Sequence, residues 1–182
     1  MQADPQRFAG EDLAASFAVG GSLHRLNGYE PAFRVAVRHG EEITLCQRTA
    51  NLDGTPLDVA ACFEAAGLGE RAGSVSIYDH MGLSEAALLT DGQGEALRQA
   101  LLRCTPAELS DEDYQAIARA QSEGRSWQAA FALQDGTQLR LYVIPELGVA
   151  MLGDDRYRLP EDFSDSCGSL FEGLEQGPPP QF

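Results

Sequence analysis

Apolar residues recur along this chain either at every second position or at every third to fourth, and glycine, proline and aspartate separate the stretches. The spacing predicts a short helix over residues 11–18, closed by Gly20-Gly21. Residues 33–47 alternate and break at His39-Gly40-Glu41. That pattern predicts a hairpin in which Val37 faces Ile43, Val35 faces Leu45 and Arg38 faces Glu42. In this register Cys46 lies opposite Arg34. Thr55-Pro56-Leu57-Asp58 then opens a helix, with threonine as the cap, proline in the first turn and aspartate in a capping-box role. Its stripe is Val59, Cys62, Phe63 and Ala66, and Gly67 ends it.

Residues 74–79 alternate as a strand, and residues 93–104 carry Leu97, Ala100, Leu101 and Cys104 at helical spacing. Thr105-Pro106-Ala107-Glu108 reads as a single helical turn. Ser110 starts the next helix, which turns Tyr114, Ile117 and Ala118 inward and stops at Gly124. Asp135-Gly136 predicts a two-residue type I′ hairpin. On one face it pairs Phe131 with Arg140, Ala129 with Tyr142 and Trp127 with Ile144. On the other it pairs Ala132 with Leu139 and Ala130 with Leu141. Both faces are then mostly apolar, as suits a hairpin central in its sheet and covered on both sides.

Residues 148–152 read as a further strand. After Pro160, a C-terminal helix is predicted from Phe163, Cys167, Leu170, Phe171 and Leu174, interrupted by Gly168. Strands and helices mix without strict βαβ alternation. The expected fold is therefore α+β: a single domain over 1–175, with a largely antiparallel sheet of hairpins and helices packed on it. A proline-rich tail over 176–182 is expected to be flexible.

Charge changes the picture most. The 182 residues contain no lysine, and 13 arginines face 28 carboxylates for a net charge of −15. Such a surface repels nucleic acid and anionic membranes and steers toward cationic partners. Lysine, asparagine and isoleucine have A/T-rich codons and are scarce here, which suggests a GC-rich, bacterial coding sequence. No window approaches about 20 apolar residues, so no membrane span is expected. The first residues show neither the charged start nor the apolar stretch of a signal peptide. The expected location is the cytoplasm, or the periplasm for a chain whose signal peptide has been removed.

The chemistry-bearing residues form no recognisable motif. Without lysine, a P-loop lysine and a Schiff-base mechanism are both excluded. The separations of Cys46, Cys62, Cys104 and Cys167 contain no CxxC pair, and His24, His39 and His80 are scattered. No metal or other cofactor is expected, and the cysteines read as reduced core residues. Two candidates remain for covalent chemistry. Cys46 is the cysteine outside a helical stripe, and His80 sits at a strand end, so a Cys–His dyad is the one catalytic arrangement to test.

For partner binding the candidates are Asp111, Glu112 and Asp113, which also suit a helix N-terminus, and Asp154 and Asp155, placed in a turn where no helix accounts for them. The leading expectation is a non-enzymatic acidic protein that recognises a basic protein, most simply a bacterial immunity or antitoxin-type inhibitor of a toxin. An acidic secretion chaperone bound to a secreted effector and a small Cys-dependent hydrolase or transferase are the alternatives.

Overall fold

The computed structural model describes residues 20–177. Among these the chain runs β1 (Ser22–Arg25), β2 (Arg34–His39), β3 (Glu42–Gln47), α1 (Val59–Ala65), β4 (Val75–Tyr78), β5 (Glu85–Leu88), α2 (Asp91–Leu102), β6 (Thr105–Pro106), α3 (Asp111–Ser122), β7 (Trp127–Ala132), β8 (Gln138–Ile144), β9 (Val149–Leu152), β10 (Asp155–Arg158) and α4 (Phe163–Cys167). The strands form a three-stranded sheet, β1-β2-β3, and a seven-stranded sheet, β5-β4-β7-β8-β9-β10-β6. Every pairing is antiparallel, so the α+β expectation holds. The helix expected over residues 11–18 and the end of the tail, 178–182, lie outside the described residues.

One face of the large sheet carries the main core. Ile77, Ala129, Phe131, Leu139, Leu141 and Val143 meet Phe63 of α1, Leu97 and Leu101 of α2, and Phe163 and Cys167 of α4. The Phe63 and Phe131 rings meet edge to face at 4.9 Å, and neither is exposed to solvent. The helices are set by their caps. Thr90 and Gln93 form a capping box on α2, Ser110 and Asp113 another on α3. On α1 the cap is Asp58, whose carboxylate accepts from the Ala60 and Ala61 N–H groups, whereas the sequence favours Thr55. On the second face α3 covers only one part, with Ile117 and Ala120 against Ile144, Val149 and Met151. Tyr114, expected inward, is 52% exposed, and Ala120 replaces Ala118 on the buried side.

Both hairpins sit where expected, and both registers are shifted by one residue. The loop Gly40-Glu41 has two residues, with Gly40 at φ +61° in the first position as a type II′ turn requires. Val37 therefore pairs with Thr44, and Cys46 pairs with Val35 rather than Arg34. At Asp135-Gly136 only the glycine has positive φ, at +81°. A type I′ turn needs both, so the chain makes a three-residue loop with the glycine in the bulge position. Phe131 pairs with Leu139 and Ala130 with Arg140. The shift sets Gln138, Arg140 and Tyr142 on the face of Gln128 and Ala130, away from Phe131, so the second face is partly polar and not the apolar surface expected. Thr105-Pro106, expected to be a helical turn, is instead the short edge strand β6 on β10. The C-terminal helix stops at Cys167, and Gly168–Leu170 continues as a 3₁₀ turn.

Candidate partner-binding surface

The segment between β3 and α1 is a preorganised loop. Asn51 is its centre: its carboxamide accepts from the Arg48 guanidinium and donates to Thr55 and to the Pro56 carbonyl. Asn51-Leu52-Asp53-Gly54 is a turn, with Gly54 N–H donating to the Asn51 carbonyl and Gly54 at φ +73°. Thr55 donates its hydroxyl and N–H to Asp53, and those bonds hold the Asp53 carboxyl below the usual carboxylate range. Leu52, at the tip, is fully exposed (105%).

The loop is braced to the large sheet. Leu57 N–H donates to the Asp155 carboxylate at 2.7 Å, and the buried Tyr157 hydroxyl donates to the Leu57 carbonyl at 2.7 Å. Gly153 in the β9–β10 turn lies so close to Thr49 that a Cβ there would collide with the Thr49 carbonyl. These contacts place the exposed carboxylates Asp53, Asp58 and Asp154 around the one loop. The loop thus presents one exposed apolar side chain, with exposed carboxylates on the loop itself and on the turn packed against it.

The structure sorts the acidic residues singled out by sequence. Asp154 is exposed in its turn, and its carbonyl accepts from Arg156. Asp155, which no helix explains, has a structural role as the acceptor for Leu57 N–H. Asp111 and Glu112 are exposed on the first turn of α3. Asp113 closes that capping box and pairs with Arg158, and its bonds with Ser110 and Arg158 hold its carboxyl low. Arginines are consumed in the same way: Arg34, Arg98, Arg103, Arg125 and Arg158 each pair with carboxylates.

The Cys46–His80 dyad is not assembled. Cys46 lies on β3, an edge strand of the small sheet, and the neighbouring Arg34 spends its guanidinium on Asp135, Thr137 and Gln47. Those contacts fasten the small sheet to the β7–β8 turn. His80 follows β4 at the other end of the large sheet, where its Nδ1 is hydrogen-bonded to the Ser126 hydroxyl at 2.5 Å. Ser126 has no solvent exposure, so this Ser–His pair offers a substrate no nucleophile. Gln176 fixes the same corner, accepting from His80 N–H and donating to the Ser126 carbonyl. All four cysteines are free thiols, and among the described residues no group of three or more His, Cys, Asp or Glu side chains gathers as metal ligands do.

Two features escape the sequence reading. One is Leu52 with Asp53, signalled only by an apolar residue inside an Asn-x-Asp-Gly turn. The other is a polar network on the second sheet face, beside the α3 cluster and under the 80–82 turn. There Arg140 stacks over Tyr78 at 4.5 Å and donates to Gln138, Gln128 and the Gly82 carbonyl, and Gln128 donates to Tyr142. The alternation Gln138-Leu-Arg140-Leu-Tyr142 carries that signal, once the register is right. No protein-family profile matches the chain, and comparisons with curated proteins and with solved structures find no match.

Proposed function

We propose that this is a non-enzymatic acidic binding protein that takes a basic protein partner on the 48–58 loop and the adjoining β9–β10 turn. The observation that carries the reading is Leu52, fully exposed on a hydrogen-bonded loop that also bears the exposed Asp53 and that packs at Thr49 against the turn holding the exposed Asp154. The net charge of −15 accelerates encounter with a cationic surface, and the apolar tip then supplies contact that salt does not screen. Because the loop is braced at Leu57 by Asp155 and Tyr157, little ordering entropy is lost on binding. Such preorganisation suits a folded partner surface, which favours the immunity-type inhibitor of a basic toxin over a chaperone for an extended segment.

The test compares two immobilised proteins, the wild type and Leu52→Ala/Asp53→Asn/Asp154→Asn, in lysate of the source organism at low salt. The expected result is one stoichiometric basic protein held by the wild type beyond about 0.15 M salt, where screening acts over about 8 Å, and released early by the variant. Identical retention by both would remove this surface, and retention of nothing at that salt by the wild type would remove the binding role.

A further inference from the structure

The β3 edge of the small sheet differs from the two edges of the large one. There, β6 is two residues long and contains Pro106, and β5 is four residues long with a register shift at Ile77/Tyr78. Short length, proline and irregularity are the usual devices that stop an edge from pairing with another chain. β3 has none of them. It is six residues long, regularly paired along its whole length, and its Ile43 and Leu45 are 67% and 40% exposed. Ile and Thr also favour extended backbone.

The backbone fixes which groups are available. His39 and Glu42 close the two-residue turn, and Arg48 N–H donates to the Phe33 carbonyl at 2.9 Å. Alternation along the ladder then commits the N–H and C=O of residues 42, 44, 46 and 48 to β2. Those of Ile43, Leu45 and Gln47 project outward from the edge, unclaimed by β2.

We propose that a second copy of this chain pairs antiparallel with β3, about a twofold axis through Leu45. This goes beyond the acidic-loop reading and does not depend on it. In an antiparallel pair, outward-pointing residues must face each other, so Leu45 faces Leu45 of the second copy and Ile43 faces Gln47. The pairing makes about six inter-chain backbone hydrogen bonds and joins the two sheets into one of six strands. It lines up Ile43, Leu45 and their two counterparts as one apolar stripe. The same register sets Glu42 opposite Arg48 of the second copy, twice, once at each end. Charge therefore selects the partner: in a chain of net −15, this edge with its flanking arginine is neutral and complementary to itself. A cationic partner finds no comparable complement along β3.

Sedimentation equilibrium of the whole chain at up to about 100 µM tests the proposal. The wild type is expected to be a reversible dimer, and Leu45→Arg, which sets two arginines against each other on the axis, is expected to raise the dissociation constant at least tenfold with unchanged circular dichroism. A second variant covers a failure of that one to fold. In the proposed register Thr44 faces Cys46 of the second copy as a non-hydrogen-bonded pair, with Cα atoms about 4.5 Å apart, within disulfide reach. Thr44→Cys is therefore expected to oxidise to a covalent dimer, and Thr44→Cys/Cys46→Ser to stay uncrosslinked. A monomeric wild type overturns the proposal, as does a dimer indifferent to Leu45→Arg or a crosslink that persists without Cys46.

Discussion

Replacing Glu95 by glutamine tests how the α1–β4 connection is held. Arg98 of α2 is 2% exposed and donates to the carbonyls of Leu68, Gly69 and Glu70, which lie before β4. Its charge is balanced by Glu95 one turn earlier, at 2.6 Å. Glu95 also accepts from Ala72 N–H and from Gln99. These donors, Arg98 first, lower the Glu95 carboxyl from 4.5 to about 2. At about 1.4 kcal/mol per tenfold change, that difference sets a ceiling of about 3 kcal/mol. The Glu95 side chain keeps 37% of its exposure, so solvent screening reduces the expected effect to about 1–2 kcal/mol.

The sign follows from the lowered folded-state value. The stabilisation is complete above 4.5, the value before the shift, and disappears as the pH falls toward about 2. Urea unfolding of the wild type and Glu95→Gln at a series of pH values isolates this effect, because the other carboxylates titrate alike in both. The wild type is expected to be more stable by about 1–2 kcal/mol at pH 7, with the gap closing at about pH 2–3. A gap that stays constant across this range would refute the argument, since it would mean that Glu95 contributes shape and not charge.

Gly153→Ala is expected to destabilise by more than about 2 kcal/mol, because its φ of +59° is strained and the Cβ meets the Thr49 carbonyl. Gly136→Ala, at φ +81° with open space around it, is expected to cost about 1 kcal/mol; equal melting temperatures for the two variants would remove the Thr49 contact as a cause. Iodoacetamide at neutral pH followed by mass spectrometry is expected to label Cys46 first: burial pushes the Cys104 thiol up to about 12 and raises those of Cys62 and Cys167. Prior labelling of Cys104 would contradict the packing below α2.

Secondary structure was legible wherever periodicity ran long enough to be read. The stripe Val59, Cys62, Phe63 and Ala66 is buried as its spacing implies, and Ser110 caps α3. Register was not legible, because it depends on loop length, and one residue moves every side chain to the other face. That is how Arg140 passes from a position opposite Phe131 to one opposite Ala130. β5 escaped because Glu85-Ala86-Ala87-Leu88 has no strand preference of its own and is extended by pairing with β4. β6 escaped because Thr-Pro opens helices more often than it closes sheets. In the candidate site, the sequence supplied the carboxylates without their occupations. Asp154 and Asp155 are chemically alike, yet one faces water and the other holds Leu57. Leu52 is conspicuous only once its surroundings are known.

The order β5-β4-β7-β8-β9-β10-β6 has a consequence for how the chain reaches this state. Strands β7 to β10 are consecutive neighbours joined by short turns, so they can zip up from local encounters alone. The two flanks cannot. β4 and β5 precede this meander by some tens of residues and must find β7 across α2 and α3, while β6 must settle on β10 at the opposite edge. The slow step in assembly is then the closing of the flanks around a preformed meander. Pulse-labelled hydrogen exchange during refolding checks this order: amides of β8 and β9 should gain protection before those of β4, and the reverse order would place the folding nucleus in the β4–β7 pairing.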